Sequence, residues 1–97
     1  MPNFVVTYRY GAGSAAGRDT NRPAHVDFLT GQFEAKRLLV SGPFGPDEDP
    51  GAVLVWNAAS KEELLPLINQ DPFHANGLIA DRDVRQWNVA FGALRGH

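Results

Sequence analysis

Apolar and polar positions alternate with period two near the start of the chain. Phe4, Val6, Tyr8 and Tyr10 fall on one side, and Val5, Thr7 and Arg9 on the other. In β-branched and aromatic residues that alternation predicts a strand over Asn3–Tyr10. The small residues of Gly11–Gly17 read as a flexible connection. The period then changes. His25, Phe28, Leu29, Gln32 and Phe33 follow the i, i+3, i+4, i+7, i+8 spacing of one helical face, with Asp27, Thr30 and Glu34 towards solvent. Pro23 suits the first turn of that helix, where its missing N–H has no partner to lose. His25 is therefore expected on or beside a buried stripe.

Leu38–Phe44 reads as a second strand, ended by Gly42-Pro43 and by a polar, acidic loop from Gly45 to Gly51. Ala52–Asn57 is a third strand, apolar on both faces. Ser60, with Glu63 three residues on, forms a capping box and opens a helix running to about Gln70. Pro66 inside it predicts a kink or a later start. Asp71-Pro72 repeats the start signal, so a separate helical turn is expected over Pro72–Asn76, stopped by Gly77. Arg82–Phe91 is the last predicted strand, with Trp87, Val89 and Phe91 on one face and Val84 and Ala90 on the other. Gly92–His97 is left as a frayed tail. The order β-α-β-β-α-β predicts an α+β domain: a four-stranded antiparallel sheet with both helices on one face. The strands are apolar on both faces, so the uncovered face predicts a homodimer formed sheet against sheet.

Composition narrows the classes. The 97 residues suit one domain, 1–97, and the 43% hydrophobic and 21% charged content is that of a globular chain. The net charge is −2 with the signs interspersed, so no basic stripe follows a phosphate backbone and no nucleic-acid partner is expected. Cysteine is absent, which removes disulfides, thiol nucleophiles and Cys-held metals. No stretch approaches a membrane span, and the first thirty residues show no basic-then-apolar signal pattern. Cytoplasmic residence is the expectation.

Four motifs, in their order and spacing, give the chain a resemblance that covers nearly its whole length. Arg22-Pro23-Ala24-His25 opens the first helix and Ser41-Gly42-Pro43 ends the second strand. Asp71-Pro72-Phe73, with Gly77, follows the second helix, and the last strand is rich in aromatics. The chain resembles the YciI-like (YCII-related) family of small dimeric proteins with a ferredoxin-like α+β barrel. The resemblance implies a homodimer with a histidine and an aspartate forming an active site in each subunit; by motif these are His25 and Asp71. Some relatives resemble small-ring isomerases and lyases, and one branch eliminates halide from a chlorinated hydroxyquinol. Gly11–Thr20 matches no motif of the family.

An imidazole titrates near neutrality, so His25 can take or give a proton, and an adjacent Asp71 would fix its tautomer. Each candidate also has a plainer role. His25 can be packed on an apolar face, and Asp71 can simply cap the turn that Pro72 begins, a contribution of ~1 kcal/mol. Arg22 can bind a substrate carboxylate or phenolate, or stand as a solvated charge. Ser41 can donate to a ligand or serve the turn before Gly42-Pro43. Phe73, Trp56 and Trp87 can wall a pocket or pack in a core or dimer interface. His74 and His97 show no metal-ligand spacing with His25 and Asp71, so no metal is expected. A haem on His25 has no second feature in its favour, and no cofactor is expected. Gly11-x-Gly13-x-x-x-Gly17 is one residue too long for a dinucleotide fingerprint, and helices do not alternate with the strands after it. The sequence thus points to acid–base chemistry without a cofactor on a small, aromatic or cyclic molecule, of lyase, isomerase or dehydrohalogenase type. The alternative is a non-catalytic dimer that binds a small ligand in the same pocket.

Overall fold

A computed structural model describes residues 1–97. Its elements are β1 (Asn3–Tyr10), α1 (Ala15–Glu34), β2 (Leu38–Pro43), β3 (Gly51–Asn57), α2 (Lys61–Ile68), α3 (Pro72–Ala75) and β4 (Ile79–Trp87). The strands form one sheet, β2-β3-β1-β4, with every neighbouring pair antiparallel. The architecture is the expected ferredoxin-like α+β sheet with its helices on one face.

Register follows the period-two pattern. Phe4 lies opposite Trp56, Val6 opposite Leu54 and Tyr8 opposite Ala52, which puts these residues on the helix side. With Leu38, Leu64 and Ile68 they make the core. On the other face Val5 pairs with Val55 and Arg85, while Thr7 and Arg9 meet Asp83 and Asp81. That face is apolar at Val5, Val53 and Val55, turns polar at Thr7 and Arg9, and is charged along β4. Gly51 is needed where β3 begins, because a Cβ there would lie 2.2 Å from the Tyr8 carbonyl oxygen.

Several boundaries differ from the sequence reading, each for a local reason. The segment Gly11–Gly17 is not wholly a loop: α1 starts at Ala15, after the left-handed Gly13 (φ 73°). Ala15 and Ala16 are strong helix formers, and Gly17 is accommodated inside the helix. Pro23 is therefore interior to α1 rather than in its first turn. A proline there loses a single backbone bond, which a helix of this length tolerates. Pro66 likewise lies inside α2, which ends at Ile68, short of Gln70. The last strand begins at Ile79 and stops at Trp87, so Val89, Ala90 and Phe91 lie outside it. Its first three residues, Ile79-Ala80-Asp81, precede the strand read from the sequence, yet they pair along Arg9–Tyr10. Beyond Trp87 the chain folds into turns, with the Arg95 N–H donating to the Gly92 carbonyl. No helix is long and apolar enough to cross a membrane.

The two helices cover the sheet unequally. In α2, Leu64 and Ile68 are buried against the core, whereas none of the twenty residues of α1 is buried. The stripe expected to be buried is instead open: Val26 and Phe33 are exposed, and Phe28 and Leu29 pack at the core's margin.

Candidate functional site

Asp71 reaches its place through local chain chemistry. It caps α3, where its Oδ1 accepts from the Phe73 N–H at 3.0 Å, and Pro72 follows at the first helical position. The turn lowers this carboxylate beneath α1, where it has no exposed surface. There Oδ1 lies 2.7 Å from Nδ1 of His25, and Oδ2 accepts the Tyr8 hydroxyl at 2.9 Å. Three elements far apart in sequence thus meet on one carboxylate, so no buried oxygen is left without a donor. Capping and orienting are not rival roles here, since Asp71 does both.

A carboxylate only accepts, so this contact puts a proton on Nδ1 of His25. Nε2 is left as the nitrogen that faces away from Asp71 and can exchange a proton with a ligand. The ring plane is fixed as well: Phe73 stacks on His25 with centroids 3.9 Å apart and parallel planes. Tyr10 packs edge-on to Phe73 at 5.7 Å, and the Arg18 guanidinium lies 4.4 Å above the Tyr10 ring. Burial, reinforced by the Asp71 charge and hydrogen bond, holds the Tyr8 phenol far above its ordinary range. Burial also raises Tyr10, against the opposing pull of Arg18. Both tyrosines therefore remain neutral, and Tyr8 stays a donor to Asp71.

The space between α1 and the β2–β3 half of the sheet is a cavity of about 720 Å³. Its walls include His25, Phe73, Tyr8, Tyr10, Arg22 and Ser41, so the structure brings His25, Arg22, Ser41 and Phe73 together at this site, with Asp71 behind His25. Arg22 is half exposed and ion-paired with Asp19 on the same helix, so part of its charge is already answered. Ser41 lies opposite Leu54 on β3. Trp56 is core, and Trp87 lies at the end of β4 away from the cavity. His74 turns to Arg82, with Nδ1 and the guanidinium 3.3 Å apart, and no group of three His, Asp or Glu converges anywhere.

The sequence reading missed Tyr8, Tyr10 and Arg18. The two tyrosines carried a signal, because a phenol on the inward face of a strand needs a partner for its hydroxyl. Arg18 was hidden by the assignment of its neighbours to a loop.

Comparison with known proteins agrees with the fold. The model of the YCII-related domain matches residues 3–88. Among solved structures, 5-chloro-2-hydroxyhydroquinone dehydrochlorinase (TftG) from Burkholderia phenoliruptrix AC1100, in complex with 2,5-dihydroxybenzoquinone, is 30% identical. The match covers 88% of this chain and 92% of that one, with a TM-score of 0.76. A structural-genomics protein from Agrobacterium tumefaciens shares the fold at 15% identity and a TM-score of 0.57, covering 98% of this chain and 99% of its own. No curated protein matches. A domain match over all but the first two and last nine residues settles the relationship: the chain belongs to the YCII-related domain family.

Proposed function

We propose that this protein is an acid–base enzyme, working without a cofactor, that eliminates or moves a group on a small hydroxylated aromatic molecule. The observation that carries the reading is the 2.7 Å contact of buried Asp71 with His25 on the wall of an open cavity. The similarity to a dehydrochlorinase, at 30% identity over most of both chains, supports the substrate class. His25 is the proton carrier and Asp71 its orienting partner. Phe73 holds the imidazole plane, and Arg22 and Ser41 hold the polar groups of the substrate.

For a chlorinated hydroxyquinol the steps balance without an oxidant. An aryl C–Cl bond lies in the ring plane and does not ionise, so the ring must first become a ketone. Nε2 of His25 takes the proton of a ring hydroxyl and returns it to the carbon bearing chlorine, which becomes tetrahedral. Loss of a second hydroxyl proton to Nε2 then expels chloride with the C–Cl electron pair. The products are a hydroxyquinone, chloride and a proton. General acid–base catalysis of this kind contributes about 10²–10⁴-fold.

Chloride release from 5-chloro-2-hydroxyhydroquinone, within a wider screen of halogenated phenols, hydroxyquinols and lactones, tests the proposal. His25→Ala is expected to lose about 10²–10⁴-fold in kcat with its near-UV circular dichroism intact. Undiminished turnover in that variant would eliminate the mechanism. Binding without turnover by the unaltered protein would instead identify a ligand-binding protein.

The same reading includes a homodimer formed through the sheet face opposite the helices. Its support is Val5 and Val53, half-buried apolar side chains on that face beside Val55, which is already buried. Light scattering is expected to give twice the chain mass at micromolar concentration, and a monomer there would rule the pairing out.

A further inference from the structure

Arg18 is partly buried and has no carboxylate partner, in contrast to Arg22 with Asp19. Its Nε donates to the Ser14 hydroxyl at 3.0 Å and its guanidinium rests on the Tyr10 ring, so it is held in place against the cavity. The hydroxyl it engages is the residue that should cap α1, and Ser14 makes no cap bond. No aspartate or glutamate lines the cavity. This end of it carries the guanidiniums of Arg18 and Arg22, of which Arg22 alone is ion-paired, with Asp19.

The opposite end is apolar. Along α1 the cavity wall passes from Arg18 through Arg22 and His25 to Leu29 and Phe33. At 1.5 Å per residue that stripe is about 22 Å long, several times the width of one aromatic ring. Resting on the proposed acid–base role of His25, we infer that the site takes amphipathic aromatic anions longer than a single ring, a one-ring hydroxyquinol filling only the part between Arg18 and His25. Their acidic oxygen is bound at Arg18, their reacting ring lies against Phe73 and His25, and their apolar remainder extends along Leu29 and Phe33. Arg18 is the residue that selects for charge.

Calorimetric titration with three probes tests this: 4-phenylbenzoate, its neutral twin 4-phenylbenzamide, and benzoate. A charged hydrogen bond to a held guanidinium is expected to make the acid bind roughly ten- to hundredfold more tightly than the amide. The second ring is expected to favour 4-phenylbenzoate over benzoate by about tenfold or more. Arg18→Gln should erase the preference for acid over amide and leave amide binding unchanged. Equal binding of acid and amide, equal binding of one ring and two, no binding of 4-phenylbenzoate at millimolar concentration, or an unaltered preference in Arg18→Gln would each overturn the inference. The acid–amide and one-ring comparisons use the unaltered protein, so the result does not depend on the variant folding. His25→Gln separates the two readings: it should lose turnover while keeping the preference for the anion. Turnover retained in His25→Gln would defeat the acid–base role and leave charge selection by Arg18 in place.

Discussion

Two helices lie over the same face of one sheet, and they do opposite things. The eight residues of α2 seal their half, with Leu64 and Ile68 inserted among Phe4, Val6 and Trp56. The twenty residues of α1 bury none of their number and stand over a cavity. The difference lies in the inward stripes. Leucine and isoleucine gain free energy by leaving water, whereas a stripe holding Arg18, Arg22 and His25 would have to surrender the hydration of two charges. The long helix therefore cannot close down on the sheet, and the gap it leaves is where chemistry has room. Stability and reactivity are divided between two halves of one layer.

The largest effect expected from this division is on folding. Ile68→Ala should cost about 2–5 kcal/mol, because a fully buried side chain leaves a cavity behind it. Val26→Ala on α1, by contrast, removes an exposed side chain and should change stability by no more than ~0.5 kcal/mol. Urea denaturation of both variants checks the contrast, and comparable losses would break it.

Asp71 joins the halves, and its removal comes next in size. Asp71→Ala leaves the Tyr8 hydroxyl and the Phe73 N–H without an acceptor and strips the cap from α3. The expected cost is about 2–4 kcal/mol, together with loss of the fixed His25 tautomer. Asp71→Asn, which keeps the shape and one oxygen, should cost less than half of that. Thermal denaturation measures the stability, and nitrogen chemical shifts of the His25 ring report the tautomer. A ring that keeps its Nδ1–H in Asp71→Ala would show that Asp71 does not orient it.

How much of this was legible in the sequence differs between the same two halves. The sealed half was plainer: alternation in Phe4–Tyr8, the apolar run Ala52–Trp56 and the capping box at Ser60 specify strand, strand and helix, with Pro66 the one competing signal. The His25–Asp71 pairing was also available, though through motif resemblance rather than periodicity. The open half was obscured because its rules conflict. Gly13 and Gly17 flank the alanines that start α1, and Pro23 mimics a helix start eight residues too late. Polar Asp81 hides the beginning of β4, whose pairing with β1 is satisfied by backbone bonds and not by burial. Local pattern reports burial well and reports an open, charged cavity poorly, since such a site is built from residues whose propensities favour solvent.

Tyr8 allows a finer test across the junction. Tyr8→Phe should cost about 1 kcal/mol through the lost hydrogen bond to Asp71. The chain has two tyrosines, and both are raised above the ordinary value of 10.0. Folding then favours the neutral phenols. Their contribution is complete below pH 10, and it declines as pH rises from there towards the folded values. In alkaline titration, tyrosinate absorbance should therefore be delayed beyond the ordinary tyrosine range and appear together with unfolding. Half of the full absorbance arriving near pH 10 in a folded protein would place one tyrosine outside the buried network.

The smallest expected effect on folding comes from Phe33→Ala, and it separates the halves most cleanly. Phe33 is 60% exposed although it is a large aromatic residue on a long helix, and it lines the apolar end of the cavity. If that exposure serves ligand binding, truncation should leave the urea midpoint within ~0.5 kcal/mol of the parent. The affinity for 4-(6-phenylhexyl)benzoate, long enough to reach from Arg18 to Phe33, should nevertheless fall several-fold, because its distal ring loses the apolar surface that covers it. 4-Phenylbenzoate, too short to extend that far, should bind as before. The opposite pattern, with stability reduced as in Ile68→Ala and both ligands bound unchanged, would make Phe33 a member of the core. The cavity would then be incidental packing beneath α1, and the division between a sealed half and a reactive half would fail at its own boundary.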